Sequence, residues 1–174
     1  TVADWNLATF HPVKLAVKAQ LNLDQNGLCA YCERPLASTD GQVDHIKPKG
    51  GANAHPHLCF SYTNYAQSCN THQTCGDQKK AGLLPIEPGP GCNDRWILSE
   101  TDGQIVAREG LTRRERGPVT QTLAMLGLKK AELTADRKDW IDRASQLLEQ
   151  DASLLSIFIS TAPYRHLLAE LFSV

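Results

Sequence analysis

Apolar residues recur at Val13, Val17 and Leu21, with Leu15 and Ala16 beside them and Pro12 near the start. This spacing predicts an amphipathic helix running from Phe10 until Asn26-Gly27 ends it. The short run 41–46 is β-branched near its centre and stops at Pro48, which predicts a strand. Residues 61–67 lie between aromatic-rich extended residues and a pair of cysteines, and Thr63 or Asn64 as a cap predicts a short helix there. Pro85, Pro88, Gly89, Pro90 and Gly91 then interrupt the chain and divide a first unit over residues 1–90 from a second over 91–174. The second unit opens with two short apolar runs, 95–99 and 104–107, joined around Asp102-Gly103 as a hairpin. Helices follow: one over 118–126, one carrying Leu133, Arg137, Trp140, Ile141, Ala144, Leu147 and Leu148 at three-four spacing, and one or two more over 152–158 and 164–172. The stripe from Leu133 to Leu148 reads as core or as a partner-helix seam, since nothing polar interrupts it in ligand geometry. The fold class is α+β.

Composition narrows this picture. A chain of 174 residues with 41% hydrophobic positions can bury one core, or a metal-stapled module with a helical annex. Apolar runs of about 18 residues and a basic-then-apolar leader are both missing, so the expectation is a soluble, cytoplasmic protein with no membrane segment. Six cysteines are present, and four form two close pairs, Cys29 with Cys32 and Cys69 with Cys75. A disulfide framework is one reading; the spacing favours a structural zinc ion held in a reducing compartment. Cys59 and Cys92 have no partner by this count and read as small buried hydrophobes. The net charge of −1 is unusual for a protein that grips a polyanion, so any nucleic-acid affinity must be local or borrowed from a partner. The local candidates are Lys47 with Lys49, Lys79 with Lys80, and Arg113, Arg114 and Arg116; each alone is equally the pattern of a solvated face.

Between the cysteine pairs stands Asp44-His45, followed by the loop that Pro48, Gly50 and Gly51 begin. A neutral imidazole at position 45 can accept a proton near pH 7, and a carboxylate at 44 can hold a hard divalent ion, the two parts of metal-assisted phosphodiester hydrolysis. Neighbours in a strand point to opposite faces, so both serve one site only if the loop bends the strand. An aspartate orienting a surface histidine is the plainer reading of the dipeptide by itself.

The context resembles a known pattern. Cys29-x-x-Cys32, then Asp44-His45-Ile46-x-Pro48-x-x-Gly51, then Asn64, then Cys69 and Cys75 with Lys79 following is similar to the HNH endonucleases over residues 28–80. That resemblance implies a ββα-metal core with a zinc site, His45 as general base, Asp44 as ligand of a catalytic Mg²⁺ or Mn²⁺, and Asn64 orienting the base. The run Gly27-Leu28-Cys29-Ala30-Tyr31-Cys32-Glu33 and the ending Cys75-Gly76-x-x-Lys79 resemble the PtuB-type HNH proteins of Septu and certain retron anti-phage systems. Those act with an ABC/SMC-like ATPase, called PtuA-type here, so DNA and such an ATPase are the implied partners, the latter on the helical region from Gly110 onward. One departure stands out: the family's second metal ligand falls where this chain has Gly76. His72 or Asp77 is a substitute, with His72 preferred; His72 could also replace Cys75 on the zinc. Lys47, Lys49, Lys79 and Lys80 are candidate phosphate contacts. Tyr31 and Glu33 are either substrate contacts or packing around the zinc turn, and His55 and His57 fall in the loop after Gly51.

Overall fold

The computed structural model describes residues 5 and 7–174. A single 3-10 turn leads into helix α1, His11–Asp24, which buries Leu21 against the sheet below it and leaves Val13, Leu15 and Leu23 exposed. Strands β1, Gln42–His45, and β2, Tyr65–Ser68, pair antiparallel with His45 opposite Tyr65 and Gln42 opposite Ser68. The helix expected over 61–67 is therefore a 3-10 turn at Tyr62–Asn64 followed by a strand. All four β2 residues are buried, so the run lacks the alternation that announces a half-buried strand. Helix α2, Cys75–Lys79, follows after a turn over 69–74, and its five residues carry the last cysteine of the second pair.

The second half matches the expected order. Strands β3, Trp96–Leu98, and β4, Ile105–Ala107, pair antiparallel around Asp102-Gly103. Gly103 has φ +69, and a side chain there would lie 2.4 Å from the carbonyl oxygen of Thr134, so glycine lets the turn press against the next helix layer. Helix α3 spans Arg113–Met125, five residues earlier than the pattern indicated, because Thr112 and Glu115 form a reciprocal capping box. Helix α4, Ala131–Gln150, buries Leu133, Arg137, Ile141 and Ala144 of the stripe read from the sequence, with Trp140 and Leu147 half-buried and Leu148 exposed. Helices α5, Leu155–Thr161, and α6, Arg165–Phe172, complete the chain of elements. No helix among the described residues is long and apolar enough to cross a membrane.

The boundary drawn at residue 90 does not divide the core. One apolar cluster runs from Cys29 and Cys32 through Leu84, Trp96 and Leu123 to Leu168. Polar contacts cross the same divide: Arg34 Nε donates to Asp136 at 2.8 Å, Tyr164 N to the Glu33 carbonyl at 3.1 Å, and Arg165 to the Asn26 carbonyl at 2.8 Å. A second, smaller cluster of Trp5, Leu21, Cys59 and Tyr65 lies between α1 and the β1–β2 hairpin.

Candidate active site

The turn after Leu28 and the start of α2 bring Cys29, Cys32, Cys69 and Cys75 together, with their sulfurs all within 4.8 Å of one another and all four side chains buried. A tetrahedral zinc with bonds of about 2.3 Å has sulfurs about 3.8 Å apart. Cys32 and Cys69 are at 3.9 Å, and the Cys69 amide donates to the Cys29 sulfur at 3.3 Å, as amides do to metal-bound thiolates. Hydrogen bonding among the four sulfurs lowers the Cys69 thiol, Cys29 being the largest cause, and raises those of Cys32 and Cys75. The donor set fits one thiophilic metal ion such as zinc. Among the described residues this is the one cluster of three or more such ligands.

β1 places Asp44 and His45 on opposite faces, as strand geometry requires. Asp44 turns toward the metal turn. Its Oδ2 accepts from the Tyr31 hydroxyl at 2.5 Å and from Lys79 Nζ at 3.0 Å, and Lys79 also donates to the His45 carbonyl at 2.7 Å. Burial, reinforced by the charge of Asp44, pushes the Tyr31 phenol well above its ordinary value, so it remains a donor. Lys79, an expected phosphate contact, has no exposed side chain and is the internal counterion of Asp44. Lys80 is exposed, and Lys47 lies 3.6 Å from Glu87.

His45 faces the other way, into the smaller cluster. Its Nε2 lies 2.9 Å from the Cys59 carbonyl oxygen, which also accepts from the Tyr65 hydroxyl at 2.7 Å. A carbonyl only accepts, so Nε2 carries the proton and Nδ1 holds the free lone pair. Burial lowers the imidazole below its ordinary pKa; the Cys59 hydrogen bond opposes this and the Lys49 charge adds to it. The ring is flanked edge-on by Trp5 at 4.7 Å and Tyr65 at 5.2 Å between centroids. Asn64 fastens the chain just beyond: its Oδ1 accepts from Lys47 N at 2.8 Å, and its Nδ2 donates to the Lys47 and Leu58 carbonyls at 3.0 and 3.3 Å. Trp5, Cys59 and Tyr65, which surround the imidazole, carried no sequence pattern that marked them for this position.

The other expected residues lie apart. His72 is 85% exposed on its side chain and 3.7 Å from Asp77, whose carboxylate accepts from Gln73 N. Position 76 faces the far end of the hairpin: a side chain there would meet Gln42 Nε2 at 2.6 Å and Ser68 Oγ at 2.9 Å, and the Gly76 amide donates to that hydroxyl. A second cation at Asp44 thus meets an ammonium at 3.0 Å and no second ligand at position 76, and the residues as arranged do not fit one. Glu33 pairs with His166 at 3.0 Å, and His55 and His57 stand 6.0 Å apart in the loop before β2. Cys59 is buried and Cys92 half-buried, each as a thiol.

No family model matches the chain. It is 40% identical over 180 residues to the "Retron Vc95 putative HNH endonuclease" of Vibrio cholerae serotype O1 biovar El Tor, an alignment spanning 98% of this chain and 87% of that protein. With that identity along nearly its whole length, the chain belongs to the HNH endonuclease family and is an endonuclease.

Proposed function

We propose that the protein hydrolyses DNA phosphodiester bonds with His45 as general base, as the effector nuclease of a retron-type anti-phage system. The observation that carries the reading is the Nε2 contact of His45 with the Cys59 carbonyl, which leaves Nδ1 as proton acceptor. Nδ1 takes a proton from water, the hydroxide attacks phosphorus, and the bond to the 3′-oxygen breaks; that oxygen takes a proton from solvent water, leaving a 3′-hydroxyl and a 5′-phosphate, and Nδ1 later returns its proton to solvent. Its lowered pKa keeps the imidazole neutral at pH 7. Asn64 is a positioning residue: by holding both backbone groups of Lys47 it fixes the exit of β1. The four-cysteine site, as zinc, staples the hairpin to the first turn.

The resemblance also implies Mg²⁺ or Mn²⁺ at Asp44 with His72, which would offset charge on the leaving oxygen. The pairing of Asp44 with Lys79 opposes that assignment, and no step here depends on it. An ABC/SMC-like ATPase seated on the helical region is a further part of the proposal. It is supported by the net charge of −1 and by the engagement of Lys47 and Lys79 within the protein, which leave little to hold DNA unaided.

Cleavage of plasmid, single-stranded DNA and tRNA, with and without Mg²⁺ or Mn²⁺, compares wild type with His45→Ala and separates these readings. Loss of a general base costs about 10²–10⁴-fold in rate, with metal content and folding unchanged. Equal cleavage by the variant refutes the assignment, and preference for tRNA replaces DNA by RNA as substrate.

A further inference from the structure

A general base must come within hydrogen-bond reach of the water it deprotonates. His45 is 8% exposed, and one of its two nitrogens is held by Cys59. Across the ring lies Trp5, whose indole also packs on Tyr65 at 5.0 Å and on Phe10 at 5.1 Å. Two ammonium groups flank this indole, Lys14 at 5.2 Å and Lys49 at 5.6 Å from the ring centroid. An aromatic ring within reach of two cations, seated on the base, occupies the kind of place that a nucleotide with its phosphate would take. The packing is also separable. Trp5 belongs to the small cluster under α1, whereas the hairpin is tied through Ala66 and the cysteines to the main core.

We infer that Trp5 is a plug over His45: the nuclease is latent while the indole is seated, and substrate displaces it, with Lys14 and Lys49 passing from the indole to phosphate. This rests on His45 being the base, and it adds how access to that base is controlled. Trp5→Ala opens the site permanently. A plugged site is open only for the fraction of time that the indole is away, so removing the plug raises kcat/KM by about ten-fold or more.

The direct readout is acylation of His45 by diethylpyrocarbonate, located by peptide mass spectrometry with exposed His57 as the internal reference. Wild-type His45 reacts far more slowly than His57, and Trp5→Ala brings the two rates together. Trp5→Phe, which keeps a ring in the cluster, gives intermediate acylation and cleavage, and it serves if the alanine variant loses its metal or its cooperative melt. Unchanged or lower cleavage together with unchanged His45 acylation in a folded variant overturns the plug. Faster acylation with no cleavage of any nucleic acid supports the plug and instead overturns the nuclease assignment of His45.

Discussion

Replacing Lys79 by methionine tests whether its ammonium is a structural counterion or a phosphate contact. Nζ lies 3.0 Å from Asp44 Oδ2 with its side chain fully buried and that of Asp44 10% exposed. At an effective dielectric of about 20, the attraction at that distance is roughly 5–6 kcal/mol before the cost of removing both charges from water. The variant loses more than the net value of the pair. It leaves a buried carboxylate held by Tyr31 alone and the His45 carbonyl without its donor. Breaking a buried pair from one side costs about 3–5 kcal/mol, and in a chain of this length that lowers Tm by about 10 °C. Urea unfolding at fixed free zinc measures it, with Asp44→Asn and the double variant completing a cycle. The double variant should recover at least about 1.5 kcal/mol of the summed losses. A loss below about 1 kcal/mol, the usual effect at a surface site, accompanied by a higher KM for DNA, would refute the burial argument and return Lys79 to the phosphate.

The remaining predictions are briefer. The purified chain should carry about one zinc ion per molecule by elemental mass spectrometry; Cys32→Ser or prolonged chelation should remove both the metal and the cooperative melt, and an unchanged melt without metal would show the cluster to be ordinary core. Hydrogen bonding to Glu33 raises the His166 pKa above its ordinary value of 6.5. Its contribution to stability is therefore complete below that value and is lost as pH rises through the elevated one. Wild-type Tm should accordingly fall relative to Glu33→Gln as pH rises above the ordinary value of 6.5, modestly because the imidazole side chain is 57% exposed. Gly76→Asn, which places an oxygen donor at the position where the resemblance implies a second metal ligand, should cost about 1–3 kcal/mol through overpacking and gain no Mg²⁺ affinity by calorimetry, because the position faces Gln42 and Ser68.

How much of this was legible depended on the kind of signal each segment carried. The four cysteines, the Asp102-Gly103 turn and the stripe of α4 are local patterns with direct structural meaning, and each appears in the fold, the stripe without Leu148, which is exposed. β2 was missed because a four-residue strand buried on both faces offers no period to detect. The start of α3 was visible in the spacing of Thr112 and Glu115, but Pro118, a residue suited to a first helical turn, drew the predicted start to itself. Lys79 was also decipherable: it stands four residues after Cys75, so a helix there turns it to the same inner face as the buried cysteine. The position of Trp5 over His45 had no sequence signal, since contacts between residues 5 and 45 depend on how α1 lies across the hairpin.

The docking of α6 on the metal turn also sets a timetable for synthesis. Arg165 reaches the Asn26 carbonyl, and His166 reaches Glu33 across 133 positions of sequence. Cys75 leaves the ribosome about ninety residues before those contacts can form, an interval of roughly 5–20 s at ordinary translation speed. During that interval the thiols can already gather a metal ion, while the apolar surface that α6 will cover is still open to chaperones or to aggregation. Yield of this protein in a host cell should thus respond to the translation rate of its second half more than to that of its first.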